Sequence, residues 1–306
     1  MKKIAILVGE NISIRRGAFN ASHNRIKHLM TIADYEIDVF AIQAYERWYV
    51  RLLRHSVKRK KEPFVIVDGI RYNILWYSFS IIDYVLTERL HKKALFSNRQ
   101  VNKIASMLKE YDIISCHSSG ICGLSTYMAH KMYHKPFFAT WHGSDIHSIP
   151  FRSDHEFDLA KLLIESATAN FYVSEALLEK SKEICSKQNS IVLYNGAGSE
   201  FRMFSPVERE EAKKQFGFPH KVVAFVGNIV EIKNVLLLPS IFQNVQRKYS
   251  DKSISFWVIG DGELRDPLIK MLNKAVGHFK FWGDQPPSMM PTFMPSLFTY
   301  SEGLDK

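Results

Sequence analysis

Two segments in the second half of the chain place glycine and charge directly after short apolar runs. Gly227-Asn228 follows Phe225-Val226, with Lys233 a few residues further on, and Gly260-Asp261-Gly262 follows Val258-Ile259. Glycine after a strand lets the backbone turn tightly and approach a ligand. A lysine near the start of the next helix adds a cation where free amide groups already favour an anion. The pattern therefore suits a phosphate group, and one charge-assisted hydrogen bond from Lys233 would contribute about 1.5–3 kcal/mol.

Each of these segments also has a simpler interpretation when it is taken alone. Glycines between a strand and a helix are common, and Lys233 could be a surface lysine beside such a turn. The nearby aromatic residues Phe279, Phe281 and Trp282 are interpreted as core rather than as a platform for a nucleobase.

Polar residues also follow strands in the first half of the chain. His142, in the stretch Trp141-His142-Gly143, follows a predicted strand and could contact a sugar or a phosphate, and Gly143 would permit close approach. The alternative is a turn with a hydrogen-bonded core histidine. The loop after the first strand carries Arg15 and Arg16, which suit an anionic ligand, although solvated arginines are equally common.

A basic segment over residues 47–61 interleaves cations with aromatic and aliphatic residues. The residues expected to contact an acceptor or a membrane are Trp48, Arg51, Arg54, Lys58, Arg59, Lys60 and Lys61. Read as a helix, the segment fits one that lies on an anionic membrane, at roughly 1 kcal/mol per cation near the surface. A solvated charged helix and a nucleic-acid patch are the alternatives. The membrane is favoured because no RNA- or DNA-binding module accompanies the segment.

Composition sets limits on the function. The chain has 306 residues, a formal net charge of +10 and a pI near 9.3, so it suits phosphorylated ligands or an anionic membrane surface. No apolar run is long enough to span a bilayer, no signal-peptide cleavage site is present, and the three cysteines have neither disulfide nor metal spacing. We expect a cytoplasmic protein. Motifs of serine hydrolases, zincins and Walker-loop nucleotidases are absent.

Short β-branched runs alternate with longer helical patterns, which predicts an α/β fold with parallel sheets. A turn-rich stretch at residues 195–205 divides the chain into a domain over 1–200 and a domain over 201–306. Two doubly wound, Rossmann-like domains with a ligand cleft between them are expected, with ligands beyond the carboxyl ends of the strands. Predicted strands cover 4–8, 37–41, 64–67, 72–76, 113–116, 136–140, 170–173, 191–194, 222–226, 254–259 and 278–282. Predicted helices cover 22–33, 100–109, 123–133, 159–167, 175–186, 234–248 and 263–274.

Seven short motifs follow one another along the chain. Each is weak alone, but their order and spacing together are specific. They are Trp141-His142-Gly143-Ser144-Asp145, Val173-Ser174-Glu175, Tyr194-Asn195-Gly196, Phe225-Val226-Gly227-Asn228 with Lys233-Asn234, Val258-Ile259-Gly260-Asp261-Gly262, Phe281-Trp282-Gly283-Asp284-Gln285 and Met290-Pro291. Together they resemble the family 4 glycosyltransferases of the GT-B fold, especially bacterial enzymes of capsular or other surface-polysaccharide assembly. The resemblance covers nearly the whole chain.

The resemblance implies a retaining, hexosyl-type transferase that moves a sugar from UDP- or GDP-sugar to an acceptor, often a lipid-linked saccharide at the inner membrane face. It implies no metal and no cofactor beyond the donor substrate. Catalytic roles are expected for His142, Lys233 and Glu302. The residues expected at the donor are Gly227, Asn228, Lys233, Gly260, Asp261, Gly262 and Glu302. The acceptor side falls in the first domain, where the basic aromatic segment lies.

Three departures from the family pattern stand out. Asn228 stands where the family often has arginine, and Ser13 to Gly17 replaces a glycine-rich loop. Glu302-Gly303-Leu304 resembles the first half of a two-glutamate motif whose second glutamate would fall beyond Lys306. We therefore expect the second domain to be incomplete. The alternative function is a catalytically impaired GT-B protein that binds a nucleotide-sugar or a membrane, and a GT-B epimerase is a third, less favoured hypothesis.

Overall fold

The computed structural model describes residues 2–12, 17–32, 34–53, 55, 60–95, 97–117, 119–196, 201–217, 221–249 and 254–297. The chain divides into two compact units, Met1–Gly196 and Ala197–Lys306. Each unit is an α/β structure with its own sheet, as the alternating sequence pattern predicts.

The first unit is built on a sheet that, in the described residues, has eight strands. The strands are β1 (Lys3–Val8), β2 (Glu36–Glu46), β3 (Phe64–Val67), β4 (Ile70–Phe79), β5 (Ile113–His117), β6 (Phe137–Trp141), β7 (Ala169–Tyr172) and β8 (Ser190–Val192). Their order across the sheet is β3-β4-β2-β1-β5-β6-β7-β8, and all neighbours are parallel except β3 and β4. The exception is the predicted hairpin, whose turn residues Asp68 and Gly69 have φ of 47° and 82°, as tight hairpin turns require.

Helices cover both faces of this sheet. They are α1 (Gly17–Ile32), α2 (Trp48–Leu53), α3 (Ile81–Tyr84), α4 (Val101–Met107), α5 (Gly120–Tyr133), α6 (Ser144–His147), α7 (Asp154–Ser166) and α8 (Glu175–Ser181). The central strand β1 buries every residue from Ile4 to Val8, because a parallel strand with helices on both faces reads as a continuous apolar run. Two apolar clusters result, one on each side of the sheet.

The second unit contains a parallel sheet of three strands within the described residues. They are β9 (Lys221–Val226), β10 (Ile254–Ile259) and β11 (Phe279–Gly283), in the order β11-β10-β9. Leu297 adds an isolated parallel bridge to Val222. The helices are α9 (Pro206–Gln215), α10 (Leu238–Lys248), α11 (Arg265–Ala275) and α12 (Met290–Phe293). Ser205 and Glu208 form a capping box at the start of α9, which stabilises that helix end.

The aromatic residues of the second unit are core, as predicted. Phe279 and Phe281 pack against one apolar cluster of this unit. Trp282 packs on the other face, where its ring lies 5.1 Å from Trp257 and 5.0 Å from Phe293, measured between centroids.

Two helix predictions are wrong, each for a local backbone reason. The helix predicted from residue 234 begins at Leu238, because Asn234 has a left-handed φ of 49° and separates two short 3-10 turns, 231–233 and 235–237. The helix predicted over residues 47–61 ends at Leu53, and His55 has a left-handed φ of 48°. A left-handed residue ends an α-helix.

Other boundaries differ by a turn or less, with four exceptions: α1 and α7 start five residues early, α8 ends five residues early, and β2 runs five residues longer at its carboxyl end than predicted. The cap Ser153 accounts for the early start of α7, because its hydroxyl accepts a hydrogen bond from Glu156 N. Ser174 accepts from Leu177 N at the start of α8, which begins where it was predicted to begin. Among the described residues, we find no helix both long and apolar enough to cross a bilayer.

Candidate functional site

The loops after β9 and β10 form one hydrogen-bonded structure at the carboxyl edge of the second sheet. Ile259 pairs with Val226 in the register, so the residues that follow them lie side by side. Gly227 N donates to Ile259 O at 2.9 Å, and Ile229 N donates to Asp261 O at 3.0 Å. The glycine motifs predicted from sequence are thus brought together by backbone contacts.

Glycine is required at two positions of this structure by the close approach of the two loops. Gly260 has a φ of +136°, and a Cβ built on it would lie 1.9 Å from the carbonyl oxygen of Gly227. A Cβ on Gly262 would lie 2.3 Å from the carbonyl oxygen of Ile229. Gly227 has a φ of +153°, and a Cβ built on it would meet only the ring of Phe225, at 3.5 Å, and no backbone atom within 4 Å. Only a bare backbone fits between these loops.

The polar side chains of this edge are Asn228, Asp261 and Lys233. The Asp261 carboxylate accepts from Gly262 N at 2.8 Å and lies 3.4 Å from a terminal nitrogen of Arg265. Lys233 is exposed and forms no ion pair with the described residues. It lies in the 3-10 turn Glu231–Lys233, one turn before α10 begins. The sequence argument that placed it at a helix start is therefore wrong, and its ammonium would act as a cation without help from a helix terminus.

A second polar group lies at the carboxyl edge of the first sheet, and we call Glu10, Ser22, His117 and His142 the Glu10 cluster. Val8 pairs with His117, and His117 with Thr140, so the ends of β1, β5 and β6 align. The hydroxyl of Ser22, on the buried face of α1, lies 3.1 Å from His142 Nε2 and 3.4 Å from Glu10 Oε1.

The two histidine rings of the Glu10 cluster are stacked. Their centroids are 5.5 Å apart, and His117 Nδ1 lies 3.2 Å from His142 Nε2. The segment after β6 is held by Asp145, whose carboxylate accepts from the backbone N–H groups of His142 and Gly143 at 3.2 and 2.8 Å. Gly143 has a φ of 154°. These bonds fix the imidazole of His142 at the strand end.

Burial sets the protonation states of the cluster. It raises the pKa of the Glu10 carboxyl to about 7, and it lowers the pKa of His142 to about 4, with a further lowering by the Arg25 guanidinium. The pKa of His117 is lowered in the same way, by burial first and then by His142 and Arg25. Both histidines are therefore neutral at pH 7. The 3.9 Å contact between Glu10 Oε1 and His142 Nε2 is not an ion pair at that pH.

The basic aromatic segment places apolar side chains in solvent. Trp48 and Leu52 on α2 are each 69% exposed. Arg51 donates to the Glu46 carbonyl at 2.8 Å. Lys60 pairs with Glu62 at 2.9 Å, and the Lys61 ammonium lies 3.8 Å from the centre of the Tyr45 ring.

Six predicted site residues lie outside the described residues. They are Arg15, Arg16, Arg54, Lys58, Arg59 and Glu302. Within the described ranges, no group of three or more His, Cys, Asp or Glu side chains is arranged to hold a metal ion. All three cysteines are buried, and none of them forms a disulfide within the described residues.

Sequence reasoning missed Glu10, Ser22 and His117 as site residues. A signal for two of them existed, because Glu10 and His117 come at the carboxyl ends of predicted strands, where ligands of parallel sheets bind. Ser22 had no such signal, since its place depends on which face of α1 meets the sheet.

Two successive Rossmann-like units, each with polar loops at the carboxyl edge of its sheet, define a doubly wound α/β protein. The sequence and the structure were then compared with those of known proteins. No protein-family model matches the chain. The chain is 26% identical over 202 residues to a Bacillus subtilis (strain 168) protein named as the teichuronic acid biosynthesis glycosyltransferase TuaC. That match covers 63% of this chain and 48% of TuaC, so the chain spans about half the length of this curated relative.

Solved structures of glycosyltransferases resemble nearly the whole chain. Anabaena HepE, solved with UDP and glucose, gives a TM-score of 0.61 at 16% identity, over 97% of this chain and 73% of HepE. Sucrose-phosphate synthase of Thermosynechococcus elongatus gives 0.66 at 11% identity, over 97% and 74%. The lipopolysaccharide galactosyltransferase WaaB gives 0.59 at 18% identity, over 96% and 72%. The chain therefore has the GT-B fold, and the predicted fold class and resemblance to GT-B glycosyltransferases are confirmed.

Proposed function

We propose that the chain is a retaining, hexosyl-type glycosyltransferase of surface-polysaccharide synthesis, such as that of a capsule. The donor is a UDP- or GDP-sugar, and the acceptor is a lipid-linked saccharide at the inner face of the plasma membrane. The observation that carries this proposal is the interlocked loop structure at Gly227 and Gly260. Similarity to TuaC and to HepE, which was solved with UDP and glucose, supports the donor class.

In this proposal the diphosphate of the donor lies against the bare backbone of the two glycine loops. Lys233 supplies the cation that neutralises it, and Asn228 donates a hydrogen bond where an arginine is absent. The bond between the anomeric carbon and the diphosphate oxygen breaks, and a bond to the acceptor oxygen forms on the same face. The acceptor proton passes to the departing diphosphate. No metal is required by this scheme, and Glu302 keeps its predicted place at the donor.

Replacing Lys233 by alanine is expected to weaken UDP or GDP binding about ten- to hundredfold. The estimate corresponds to one charge-assisted hydrogen bond of about 1.5–3 kcal/mol. Because Lys233 is exposed, the variant should fold like the wild type. Isothermal titration with each nucleotide measures the change and also identifies the base.

Lys270→Ala, which removes another exposed lysine of the same unit, is the matched control and should bind as the wild type does. Equal affinities for Lys233→Ala and wild type would contradict the phosphate assignment. Nucleotide binding without transfer to any lipid-linked acceptor would favour the alternative, a catalytically impaired nucleotide-sugar-binding or membrane-binding protein. The exposed apolar side chains of the first unit would also be compatible with membrane binding by such an impaired protein.

The membrane part of the proposal rests on an exposed surface formed by two elements. The exposed apolar side chains are Trp48, Leu52 and Leu53 on α2, Ile81 and Ile82 on α3, and Val85 directly after α3. The two helices contact each other. Exposed cations occur in the same stretches, at Lys60, Lys61, Arg89, Lys92 and Lys93. Apolar side chains next to cations fit the interface of an anionic bilayer.

Neutralising Lys60 and Lys61 together with Trp48→Ala is expected to weaken binding to vesicles of phosphatidylglycerol and phosphatidylcholine by tenfold or more. Each cation near the surface contributes about 1 kcal/mol. Co-sedimentation with the vesicles measures the bound fraction. Met203→Ala removes a similarly exposed apolar side chain of the second unit and should leave binding unchanged. Undiminished binding of the triple variant would refute this surface as the membrane contact.

A further inference from the structure

We propose that Cys116 and Cys122 form a redox-sensitive pair, which hydrogen peroxide converts into a reversible disulfide. Cys116 lies in β5 and Cys122 in α5, the next helix of the first unit. The pair is separate from the donor loops of the second unit and does not depend on the proposed transferase activity. Three observations support it: the contact between the two sulfur atoms, their common burial, and a cavity whose lining includes Cys122.

The two sulfur atoms are already in contact in the thiol form. Cys116 Sγ lies 3.6 Å from Cys122 Sγ, and the two residues are 3% and 2% exposed. A disulfide bond is about 2.0 Å long, so the sulfurs must approach each other by about 1.6 Å. Rotation of the side chains, together with a small shift of the first turn of α5, supplies an approach of that size.

Regular secondary structure holds both thiols in place. In the sheet, Cys116 is paired with Leu7 of β1 and with Ala139 of β6. Both cysteines belong to the same apolar cluster. Two reactive groups held against each other react as if each were present at a very high concentration. Once one sulfur is oxidised, bond formation with the other is therefore faster than further oxidation.

A cavity of about 210 Å³ gives a small oxidant access to the pair. Its lining includes Cys122, Gly9, Tyr77 and Gly120. Gly120 is exposed, so the cavity meets solvent at the start of α5. The volume equals that of about seven water molecules. Hydrogen peroxide fits into this space, whereas a peptide disulfide such as oxidised glutathione does not.

The oxidation is a two-electron reaction with one molecule of hydrogen peroxide. One sulfur attacks a peroxide oxygen, the O–O bond breaks, and a sulfenic acid and a water molecule form. The other sulfur then attacks the sulfenic sulfur, and the S–S bond forms. The hydroxyl group leaves as water with the remaining thiol proton. Two thiols are oxidised, and one peroxide is reduced to two waters.

The surroundings of Cys122 keep the pair reduced when little peroxide is present. The hydrogen bond with Cys116 and burial raise the pKa of the Cys122 thiol, and the nearby Glu10 carboxyl raises it further. A thiolate attacks an oxidant and a thiol does not. Oxidation at neutral pH is therefore slow and needs an excess of peroxide, so the pair would respond to a raised peroxide concentration.

A disulfide at this place would act on the Glu10 cluster. His117 directly follows Cys116 in β5, and its Nδ1 lies 3.2 Å from His142 Nε2. Drawing the two sulfurs together shifts the end of β5 relative to α5, and His117 moves with Cys116. The redox state of the pair would thus change the packing of the two imidazole rings.

The test treats the reduced full chain with hydrogen peroxide, alkylates the remaining thiols in denaturant and digests with trypsin. Cys116 and Cys122 fall in one peptide, residues 110–131, and Cys185 falls in another, residues 183–187. Mass spectrometry should show that the first peptide loses two hydrogens and both alkylation sites, at least tenfold faster than Cys185 is oxidised. Dithiothreitol should restore both sites. Cys185 is the internal control, because it is also buried and its sulfur donates to the Lys187 carbonyl.

Cys116→Ala and Cys122→Ala are the matched variants, each used after thermal unfolding has shown that it folds. Neither should give the peptide that lacks two hydrogens. In the wild type, oxidation should shift the imidazole NMR signals of His117 and His142 and leave that of His278, an exposed residue of the second unit, unchanged. Full alkylation of both cysteines after peroxide, or equally fast oxidation of Cys185, would overturn the redox pair. A disulfide that leaves both imidazole signals in place would overturn its action on the Glu10 cluster.

Discussion

Replacing Gly260 by alanine is expected to destabilise the second unit by about 3 kcal/mol or more and to abolish nucleotide binding. The added Cβ would lie 1.9 Å from the carbonyl oxygen of Gly227, and the φ of +136° at this position disfavours any side chain. Because the obstacle is backbone, it cannot rotate away as a side chain would. Relief requires the loop after β9 to separate from the loop after β10.

Urea unfolding and UDP or GDP titration measure the two effects. Gly277→Ala is the matched control, because a Cβ there would meet nothing within 4 Å. That variant should unfold and bind as the wild type does. If Gly260→Ala were as stable as wild type and still bound nucleotide, the interlocked loops could not be the donor platform.

The position of Gly260 could be predicted from the sequence, but the reason that it must be glycine could not. An apolar run followed by Gly-Asp-Gly is enough to place a turn at a strand end. The contact with Gly227 depends on the register of β9 and β10, which pairs Val226 with Ile259. Register follows from packing across the sheet and cannot be read from either segment alone.

The Glu10 cluster shows the same limit more strongly. Ser22 is 120 residues from His142 in the chain, and Glu10 is 12 residues from Ser22. In the loop after β1 the sequence points to Arg15 and Arg16, whereas the structure places Glu10, whose side chain is 15% exposed, in the polar cluster. A glutamate after a strand usually reads as solvated, since carboxylates are rarely buried without a partner.

Local backbone conformation accounts for the helix predictions that were wrong. Apolar and polar residues over 234–248 fit one helix, yet Asn234 is left-handed and the helix begins four residues later. Asparagine tolerates that conformation better than most residues. The spacing of the apolar residues therefore predicted the helix correctly. It could not show that Asn234 has a non-helical backbone conformation, which delays the start of the helix.

Glu10→Gln is expected to gain stability relative to wild type as the pH rises from 5 to 8. Burial raises the pKa of the Glu10 carboxyl in the folded protein from 4.5 to about 7. The folded state therefore holds a proton that the unfolded state has lost between these two values, and wild-type stability falls as the pH rises through them. The penalty is absent below pH 4.5, complete above pH 7, and amounts to up to about 3 kcal/mol.

Glutamine keeps the shape of the side chain and cannot ionise, so the variant lacks this penalty at every pH. Urea unfolding of both proteins at several pH values measures the difference. His117 and His142, whose pKa values are lowered by burial, destabilise both proteins in acid and cancel in the comparison. A difference that stays constant from pH 5 to pH 8 would show that Glu10 is not held in a low-dielectric site.

Glu36→Gln, which removes an exposed carboxylate of the same unit, is the matched control for this comparison. Because Glu36 forms a surface ion pair, its replacement should change stability by about 1 kcal/mol or less at every pH. Both substitutions remove one carboxylate charge, so a pH-dependent difference that appears only in Glu10→Gln assigns the penalty to burial of the Glu10 carboxyl and not to the net charge of the protein.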